Sequence, residues 1–236
     1  MKTSLLAFVL VLTALTVQAA ERPDFASFKD VKQKKTAFFN YMYAFVEAEN
    51  KKILEEKNIL HTKPRNSAEV KALCEKYSKN CDIIDDAHFA KLKNRIDVIP
   101  PSLALAQSAN ESAWGTSRFA LKGYNYFGQW CYSKGCGLVP SKRNSGASHE
   151  VRKFSHGQQS VRAYMINLNT GRAYKDLRRK RAEDRTNGIK PSGIHLAEGL
   201  INYSERREHY VKELQSMIRY NKLVDIYDAK FWIATE

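Results

Sequence analysis

The segment IPPSLALAQSANESAWG, residues 99–115, is the most informative part of this sequence. Pro101 suits the first turn of a helix, where its missing N–H costs nothing, and the residues from there to Ala113 are helix formers that stop before Gly115. We therefore predict a buried helix from Pro101 to Ala113. A carboxylate on such a helix, here Glu111, requires a physical reason. Three alanines leave room for close approach of neighbouring elements: Ala104, Ala106 and Ala109.

Most of the remaining chain also has helical sequence, with few breakers and apolar residues that recur at three and four positions. Between residues 127 and 154, aromatic, glycine-rich and alternating sequence instead predicts a β-hairpin lobe, with Glu150–Phe154 as an edge strand. The predicted fold class is mainly α with a small β-hairpin lobe. The further predicted helices are residues 28–60, 67–77, 86–95, 158–169, 174–185, 194–202 and 205–220.

The first nineteen residues are typical of a secretory signal peptide. Lys2 precedes an apolar run from Leu5 to Val17, and Val17 and Ala19 stand at the small-residue positions before a cleavage site. The run is short for a bilayer span, and an uncleaved membrane anchor is the alternative. We predict cleavage after Ala19 and export to the periplasm or cell envelope, or secretion.

The chain has four cysteines in two locally spaced pairs, which in an exported protein favours disulfides over a metal cluster. We predict Cys74 with Cys81 and Cys131 with Cys136, although four thiols allow three pairings and free buried thiols are the alternative. The C-x4-C spacing that begins at Cys131 differs from the C-x2-C of common zinc sites. We expect no metal and no cofactor.

The chain is strongly basic, with a formal net charge of +14. In an intracellular protein this charge would suggest nucleic acid, but predicted export argues against that partner. Outside the cytoplasm the comparable polyanions are cell-wall glycans with peptide carboxylates, anionic lipid head groups and teichoic-type polymers. The alternative is a solvated surface without a specific partner. We take a monomer as the default state.

Glu111 has the surroundings of a general acid, because desolvation on a buried helix keeps a carboxyl group protonated near neutral pH. At helical spacing, Gln107, Ser108 and Trp114 share its face, so two polar groups and an indole are expected to frame it. The alternative is a glutamate paired with one of the many Lys or Arg side chains.

Glycoside hydrolysis usually needs a second carboxylate across the sugar, as base or nucleophile. Glu150, after a glycine-rich loop on the predicted lobe, is the preferred candidate, and an exposed strand charge near Arg152 is its alternative. Glu198 and Glu205 lie in charge-dense helical sequence and are weaker candidates. Aromatic side chains are more often core, but three stand beside polar or glycine-rich sequence and are candidates for stacking on sugars: Tyr126, Trp130 and Tyr203. The sequence lacks H-E-x-x-H, G-x-S-x-G and G-x-x-x-x-G-K motifs, which argues against zinc-protease, hydrolase-elbow and nucleotide chemistry.

Several separated motifs, in order, carry a family resemblance. They are PPSLALAQSANESAWGTSRFA (100–120), YNYFGQW (124–130), GLVPSKR (137–143), HEVRKFS (149–155), SVRAYMINLNTGRAY (160–174) and YSERREHYVKEL (203–214). Together they resemble the Bax-like branch of the bacterial glucosaminidases, glycoside hydrolase family 73, over about residues 99–220.

The resemblance implies a lysozyme-like fold and cleavage of the β-1,4 bond after N-acetylglucosamine in peptidoglycan. It places the catalytic acid on Glu111, the second acid on Glu150, and the tyrosines of the C-terminal motif on Tyr203 and Tyr210. The expected divisions are a signal peptide (1–19), a helical N-terminal extension (20–97), a catalytic domain (98–222) and a C-terminal tail (223–236). The expected substrate-binding residues are Gln107, Trp114, Asn125, Tyr126, Phe127 and Trp130.

Two other functions remain open from the sequence. A lytic transglycosylase shares the fold and a single glutamate but forms an anhydro-muramic product; the Gly-Leu-Met-Gln sequence usual after that glutamate is missing here. A non-catalytic, basic wall-binding protein would bind sacculi without creating reducing ends. If the protein is a hydrolase, two groups are candidates to react with the oxocarbenium-like state: water activated by Glu150, or the substrate's own acetamido group.

Overall fold

Ten α-helices, three short strands, two 3₁₀ turns and one five-residue π-helix make up the regular structure of residues 21–141, 143 and 146–235, which are the residues described in this computed structural model. The predicted signal peptide, residues 1–19, lies outside the described residues. The helices are α1 Val31–Thr62, α2 Ala68–Tyr77, α3 Asp86–Arg95, α4 Pro101–Glu111, α5 Arg118–Gly123, α6 Gly157–Thr170, α7 Lys175–Thr186, α8 Gly193–Ala197, α9 Glu208–Tyr220 and α10 Ala229–Ile233. The strands are β1 Trp130–Cys131, β2 Gly137–Leu138 and β3 Glu150–Arg152.

The long helix α1 supplies one wall of the core. It begins after Asp30, whose carboxylate accepts a hydrogen bond from the backbone N–H of Gln33 at 2.7 Å and so caps the helix. Phe38, Met42 and Val46 are fully buried on the face that packs against α4 and α6. This spacing is the apolar stripe that predicted the helix.

Helix α4 is the buried centre of the molecule, as predicted: all nine residues from Pro101 to Ala109 are buried. Its N-terminus has no side-chain cap of its own. Instead, the carboxylate of Asp228 accepts hydrogen bonds from the backbone N–H of Ser102 at 2.7 Å and from its hydroxyl at 2.6 Å. Negative charge at this end complements the helix dipole. Burial nevertheless raises the pKa of Asp228 to about 6.

Helix α4 ends at Glu111, two residues before the predicted end. The next residues leave the helix in the left-handed region, with φ of +50° at Ala113, +58° at Trp114 and +77° at Gly115. Gly115 has no room for a side chain, because an added Cβ would lie 2.6 Å from the Phe25 ring. The chain therefore turns sharply at the point where Glu111 stands.

The three strands form one antiparallel sheet in the order β1-β3-β2. The predicted small β lobe is confirmed, but the prediction of Glu150–Phe154 as an edge strand was wrong: β3 is the central strand, pairing Cys131 with Glu150 on one side and Leu138 with Val151 on the other. Gly137 permits this close pairing, since a Cβ there would lie 2.1 Å from the Val151 carbonyl oxygen. The alternation of polar and apolar residues in a segment as short as 150–154 does not distinguish a central strand from an edge strand.

Both predicted disulfides form. Cys74 at the C-terminal end of α2 joins Cys81 across a Cα separation of 5.8 Å. Cys131 on β1 joins Cys136 just before β2, at 6.2 Å. The second bridge closes the short loop that links two strands of the lobe.

The other predicted helices are confirmed: α3 has the predicted bounds, and the others differ by a few residues at one or both ends. The segment predicted as a helix over 194–202 divides into α8 and a 3₁₀ turn, Glu198–Leu200, and α9 begins at Glu208 rather than at Glu205. No helix among the described residues is both long enough and apolar enough to cross a membrane. The domain boundaries stay a prediction. One hydrophobic core nevertheless holds residues of the predicted N-terminal extension, catalytic domain and tail, such as Phe38, Leu103 and Phe231.

Candidate active site

Glu111 ends the buried helix α4 and is itself half-buried. Its Oε1 accepts a hydrogen bond from the Tyr210 hydroxyl at 2.9 Å. Its Oε2 faces Gly128, where an added Cβ would lie only 3.7 Å away. Burial raises the pKa of the Glu111 carboxyl, and the Tyr210 hydrogen bond opposes that rise. One oxygen is therefore held in place, and the other faces a residue without a side chain.

A chain of buried hydrogen bonds leads to Glu111. The Tyr164 hydroxyl donates to Gln107 Oε1 at 2.6 Å, the Gln107 amide donates to the Tyr210 hydroxyl at 3.0 Å, and Tyr210 donates to Glu111. Burial raises the pKa of both Tyr164 and Tyr210, so both phenols stay protonated. Each group donates to the next, and the chain fixes Tyr210 as a donor to Glu111.

Tyr203 supports this arrangement from outside. Its ring stacks on Tyr210 with centroids 5.4 Å apart, and its hydroxyl donates to the Phe127 carbonyl oxygen at 3.0 Å. The Phe127 ring in turn stacks on Tyr164 at 3.9 Å. The two tyrosines of the C-terminal motif thus lie together beside Glu111, Tyr210 in direct contact with it and Tyr203 behind Tyr210.

Asn125 organises the turn that carries Phe127 and Gly128. Its side-chain amide donates to the carbonyl oxygens of Gln129 and Arg152 at 2.9 and 2.8 Å. Its Oδ1 accepts from the backbone N–H groups of Phe127 and Gln129. All these bonds are internal, so the structure gives Asn125 a positioning role in the turn, where the sequence had suggested contact with substrate.

Two predicted contacts with substrate are not supported. Tyr126 is completely buried, with its ring packed against Phe38 and Tyr41 of α1, so it offers no surface to a sugar. Phe127 is 2 % exposed and stacked on Tyr164. The sequence of a short turn does not show which of its aromatic side chains are buried and which are exposed.

The predicted frame of Glu111 is also corrected. Because α4 ends at Glu111, helical spacing does not extend to Trp114, whose indole packs against Phe38 and Phe39 at centroid distances of 5.9 and 5.1 Å. The Ser108 hydroxyl donates to the Leu105 carbonyl oxygen within the helix. Of the three predicted neighbours, Gln107 is the one that reaches Glu111, through Tyr210.

Glu150 lies on the central strand of the β lobe, and both of its carboxylate oxygens accept hydrogen bonds from the disulfide-closed loop. Oε1 accepts from the N–H of Gly135 at 2.9 Å and Oε2 from the N–H of Gly137 at 2.8 Å. These two backbone donors lower the pKa of the Glu150 carboxyl. The geometry therefore makes Glu150 the residue that holds this loop, and its lowered pKa makes it a weaker base than an ordinary glutamate.

Trp130 is the predicted binding residue that the structure leaves accessible. Its side chain on β1 is 55 % exposed and stacks on the His149 ring, with centroids 4.1 Å apart and planes 16° from parallel. A fixed, exposed aromatic face is suited to stacking against a sugar ring.

Two charged groups that act on the pKa of Glu111 form an ion pair with each other. Arg206 donates to Glu213 at 2.6 Å and lies 5.8 Å above the Tyr210 ring. Arg206 lowers the pKa of Glu111 and Glu213 raises it. Their effects oppose each other, which leaves burial as the main cause of the raised pKa.

Two groups of potential metal ligands lie close together among the described residues. They are Cys74, Cys81 and His88, and Cys131, Cys136 and Glu150. In both groups the cysteines are disulfide-bonded, so neither offers the thiolates that a metal would require.

The class of the protein follows from comparison with known families. Residues 86–223, more than half of the chain, match the profile of the family described as mannosyl-glycoprotein endo-beta-N-acetylglucosaminidase. The chain belongs to this glucosaminidase family, a family of glycoside hydrolases.

Among individual proteins, the chain is similar to Protein bax of Escherichia coli (strain K12). The two are 28% identical over 215 residues, which cover 88% of this chain and 77% of that protein. No solved structure gives a significant match. The Bax-like resemblance is thereby confirmed, and the comparison with lysozyme stays a prediction.

Sequence reasoning missed two residues of the site, Gly128 and Tyr164. Gly128 has a φ of +65° and faces Glu111 Oε2, and the Asn-Tyr-Phe-Gly motif was the signal that could have identified it. Tyr164 follows Val161 at helical spacing, so its pattern alone predicts a core position. Its hydroxyl is a hydrogen-bond donor that a buried position must satisfy, which was the available signal.

Proposed function

We propose that this protein is an endo-β-N-acetylglucosaminidase that cleaves the β-1,4 bond after N-acetylglucosamine in peptidoglycan. The observation that carries the proposal is Glu111: a half-buried carboxyl group with a raised pKa, one oxygen held by Tyr210 and the other beside Gly128. Membership of the glucosaminidase family supports a glycan as substrate.

In this mechanism Glu111 is the general acid. The protonated carboxyl group donates its proton to the glycosidic oxygen as the bond to the sugar C1 breaks, and positive charge develops on the sugar ring. Tyr210 keeps Oε1 in place, so Oε2 is the oxygen that approaches the substrate. After this step Glu111 is a carboxylate, and it accepts a proton from the water that attacks C1.

We further propose that the substrate's acetamido group, and not Glu150, stabilises the positive charge that develops at C1. Both oxygens of Glu150 already accept hydrogen bonds from backbone N–H groups, and its pKa is lowered. A carboxylate in that state is a poor base for activating water. The acetamido oxygen can stabilise C1 without a second protein carboxylate. This agrees with a site in which one carboxyl group, that of Glu111, is positioned by Tyr210.

We propose that the protein acts in the cell envelope after export. The sequence of residues 1–19 and the two disulfides support an oxidising compartment outside the cytoplasm. There its positive charge favours association with anionic wall polymers.

Digestion of purified sacculi, followed by mass spectrometry of borohydride-reduced fragments, tests the proposal. We expect fragments with N-acetylglucosamine at the new reducing end, and about 10²- to 10⁴-fold slower release of them by the Glu111→Gln variant. Anhydro-muramic fragments would instead identify a lytic transglycosylase. Binding to sacculi without new ends would identify a wall-binding protein, and either result would overturn the proposal.

A further inference from the structure

A cavity of about 670 Å³ lies between α3 and α7, lined by none of the side chains that surround Glu111. Its volume falls within the range of about 300–1,000 Å³ that is usual for small-molecule sites. Its charged lining residues are Lys91, Arg95, Lys175, Arg178, Arg179 and Glu183.

The cations of this cavity greatly outnumber its acids. The one carboxylate, Glu183, accepts a hydrogen bond from Arg179 at 2.7 Å, so that pair is mutually neutralised. Within residues 21–141, 143 and 146–235, the ion pairs give no carboxylate partner to the other four cations, which are Lys91, Arg95, Lys175 and Arg178. The cavity thus concentrates positive charge that the described residues do not balance.

Two of these cations are held rigidly by backbone oxygens. Arg178 is buried and donates to the carbonyl oxygens of Leu168 and Gly171 at 2.8 and 2.9 Å, and Arg95 donates to the Tyr77 carbonyl oxygen. Burial lowers the pKa of both groups, and the charge of Arg95 lowers that of Arg178 further. Their hydrogen bonds to backbone oxygens fix both guanidinium groups in the wall of the cavity, which makes this positive surface preorganised.

The positive surface continues into a neighbouring cavity of about 340 Å³. The two cavities share Lys91 and Arg95, and the second adds Lys76 and Lys79. Lys76 is paired with Glu56, and Lys79 is exposed. A ligand with more than one charged group could therefore contact both cavities.

The cavity is separate from the candidate active site. On α7, Arg181 points inward and donates to the carbonyl oxygens of Asp97 and Val98, just before the start of α4. Glu111 stands at the other end of α4, whose 11 residues span about 16 Å. The cavity between α3 and α7 accordingly lies toward the end of α4 that is remote from Glu111.

We propose that this cavity binds an oxyanion with two or more negative charges. Lys91 and Lys175 are exposed at its edge and supply mobile ammonium donors, whereas Arg95 and Arg178 supply fixed charge inside it. Phosphate groups and clustered carboxylates share this chemistry. Binding of such an anion here would be independent of cleavage at Glu111, because none of the residues that line this cavity surrounds Glu111.

Isothermal titration calorimetry of the whole protein at low ionic strength, with pyrophosphate and with citrate as probes, tests this proposal. We expect saturable binding of at least one probe, weakened about tenfold or more by the double variant Lys91→Glu/Lys175→Glu, because electrostatic binding falls as site charge falls. Tighter binding of pyrophosphate would identify phosphate as the source of the anion, and tighter binding of citrate would identify carboxylates. Both side chains are exposed and neither is ion-paired among the described residues, so the variant is expected to fold, as thermal unfolding would verify.

The matched control is Lys29→Glu/Lys32→Glu, which changes net charge equally at two exposed positions that do not line the cavity. Equal weakening in both double variants would show a general charge effect and overturn the proposal, as would the absence of saturable binding. Glu111→Gln is expected to bind the probes as well as the unmodified protein does. Binding retained in that variant separates this proposal from the proposed glycosidase activity.

Discussion

Glu111 and Glu150 are both glutamates whose carboxyl groups accept hydrogen bonds, yet their surroundings shift their pKa values in opposite directions. Glu111 stands where a buried helix ends, receives one hydrogen bond from a neutral phenol, and has a raised pKa because burial dominates. Glu150 stands on a small sheet, receives two hydrogen bonds from backbone N–H groups, and has a lowered pKa because those donors dominate.

Position in the fold thus gives two identical side chains different acid–base properties. A carboxyl group that is costly to ionise can hold a proton and deliver it, which is what an acid catalyst requires. A carboxylate with both oxygens occupied is stable as an anion and stabilises the loop that it contacts. Proton transfer is therefore the role that we propose for Glu111 at the end of α4, whereas Glu150 anchors the loop of the β lobe.

The largest effect is expected from Glu111→Gln. A glutamine has no acidic proton to give, so hydrolysis of sacculi should fall about 10²- to 10⁴-fold. The amide still accepts the Tyr210 hydrogen bond, so the unfolding temperature should change little. Release of soluble fragments measures the loss. Near-normal activity in a folded variant would remove Glu111 from the mechanism.

Glu150→Gln should cause a clearly smaller loss of activity, on the order of tenfold, through looser positioning of the lobe. Glutamine has one acceptor oxygen, so its NH₂ group must face the N–H of Gly135 or Gly137. Glu198→Gln is the matched control, because that exposed side chain pairs with Lys180 on another helix. A loss as deep as that of Glu111→Gln would instead make Glu150 the catalytic base.

Titration by NMR should separate the two carboxyl groups directly. The Glu111 side chain is expected to titrate above the ordinary glutamate value of about 4.3, and Glu150 below it. Since the folded pKa of Glu150 is depressed, its stabilisation of the loop is present above about pH 4.3 and is lost as the pH falls through the lower, folded value. The amide resonances of Gly135 and Gly137 should follow that same titration and should not titrate in Glu150→Gln. Titration of Glu150 above Glu111 would reverse the comparison.

Much of the fold could be predicted because its signals are local. The apolar period of α1, the alanine-rich segment of α4 and the two short cysteine spacings each depend on residues close together in the chain. The end of α4 could not be predicted, since a run of left-handed residues at Ala113 and Trp114 is stable only when Trp114 finds its place against Phe38 and Phe39. That contact joins segments more than seventy residues apart in sequence.

The sequence identified Glu111 as the candidate acid, but it predicted the residues around Glu111 less well. The proposed acid, Glu111, and its contact Tyr210 were both singled out from motifs. The chain from Tyr164 through Gln107 could not be inferred, because a phenol on an apolar helix face has the same pattern whether or not its hydroxyl has a role. The hydrogen bonds from the loop to Glu150 could not be inferred either, because they depend on the fold of residues 131–137 and not on composition.

The smallest expected effect, and the finest test of the comparison, is Tyr210→Phe. The Tyr210 hydrogen bond favours the charged form of Glu111, so its removal should raise the Glu111 pKa further. Activity that needs protonated Glu111 declines as the pH rises through that pKa, and the declining limb of the pH profile should therefore move to higher pH. Tyr203→Phe is the control, because its hydroxyl donates to the Phe127 carbonyl oxygen and not to Glu111. A shift of the limb to lower pH in Tyr210→Phe would mean that the phenol favours the protonated acid, contrary to the role derived from its geometry.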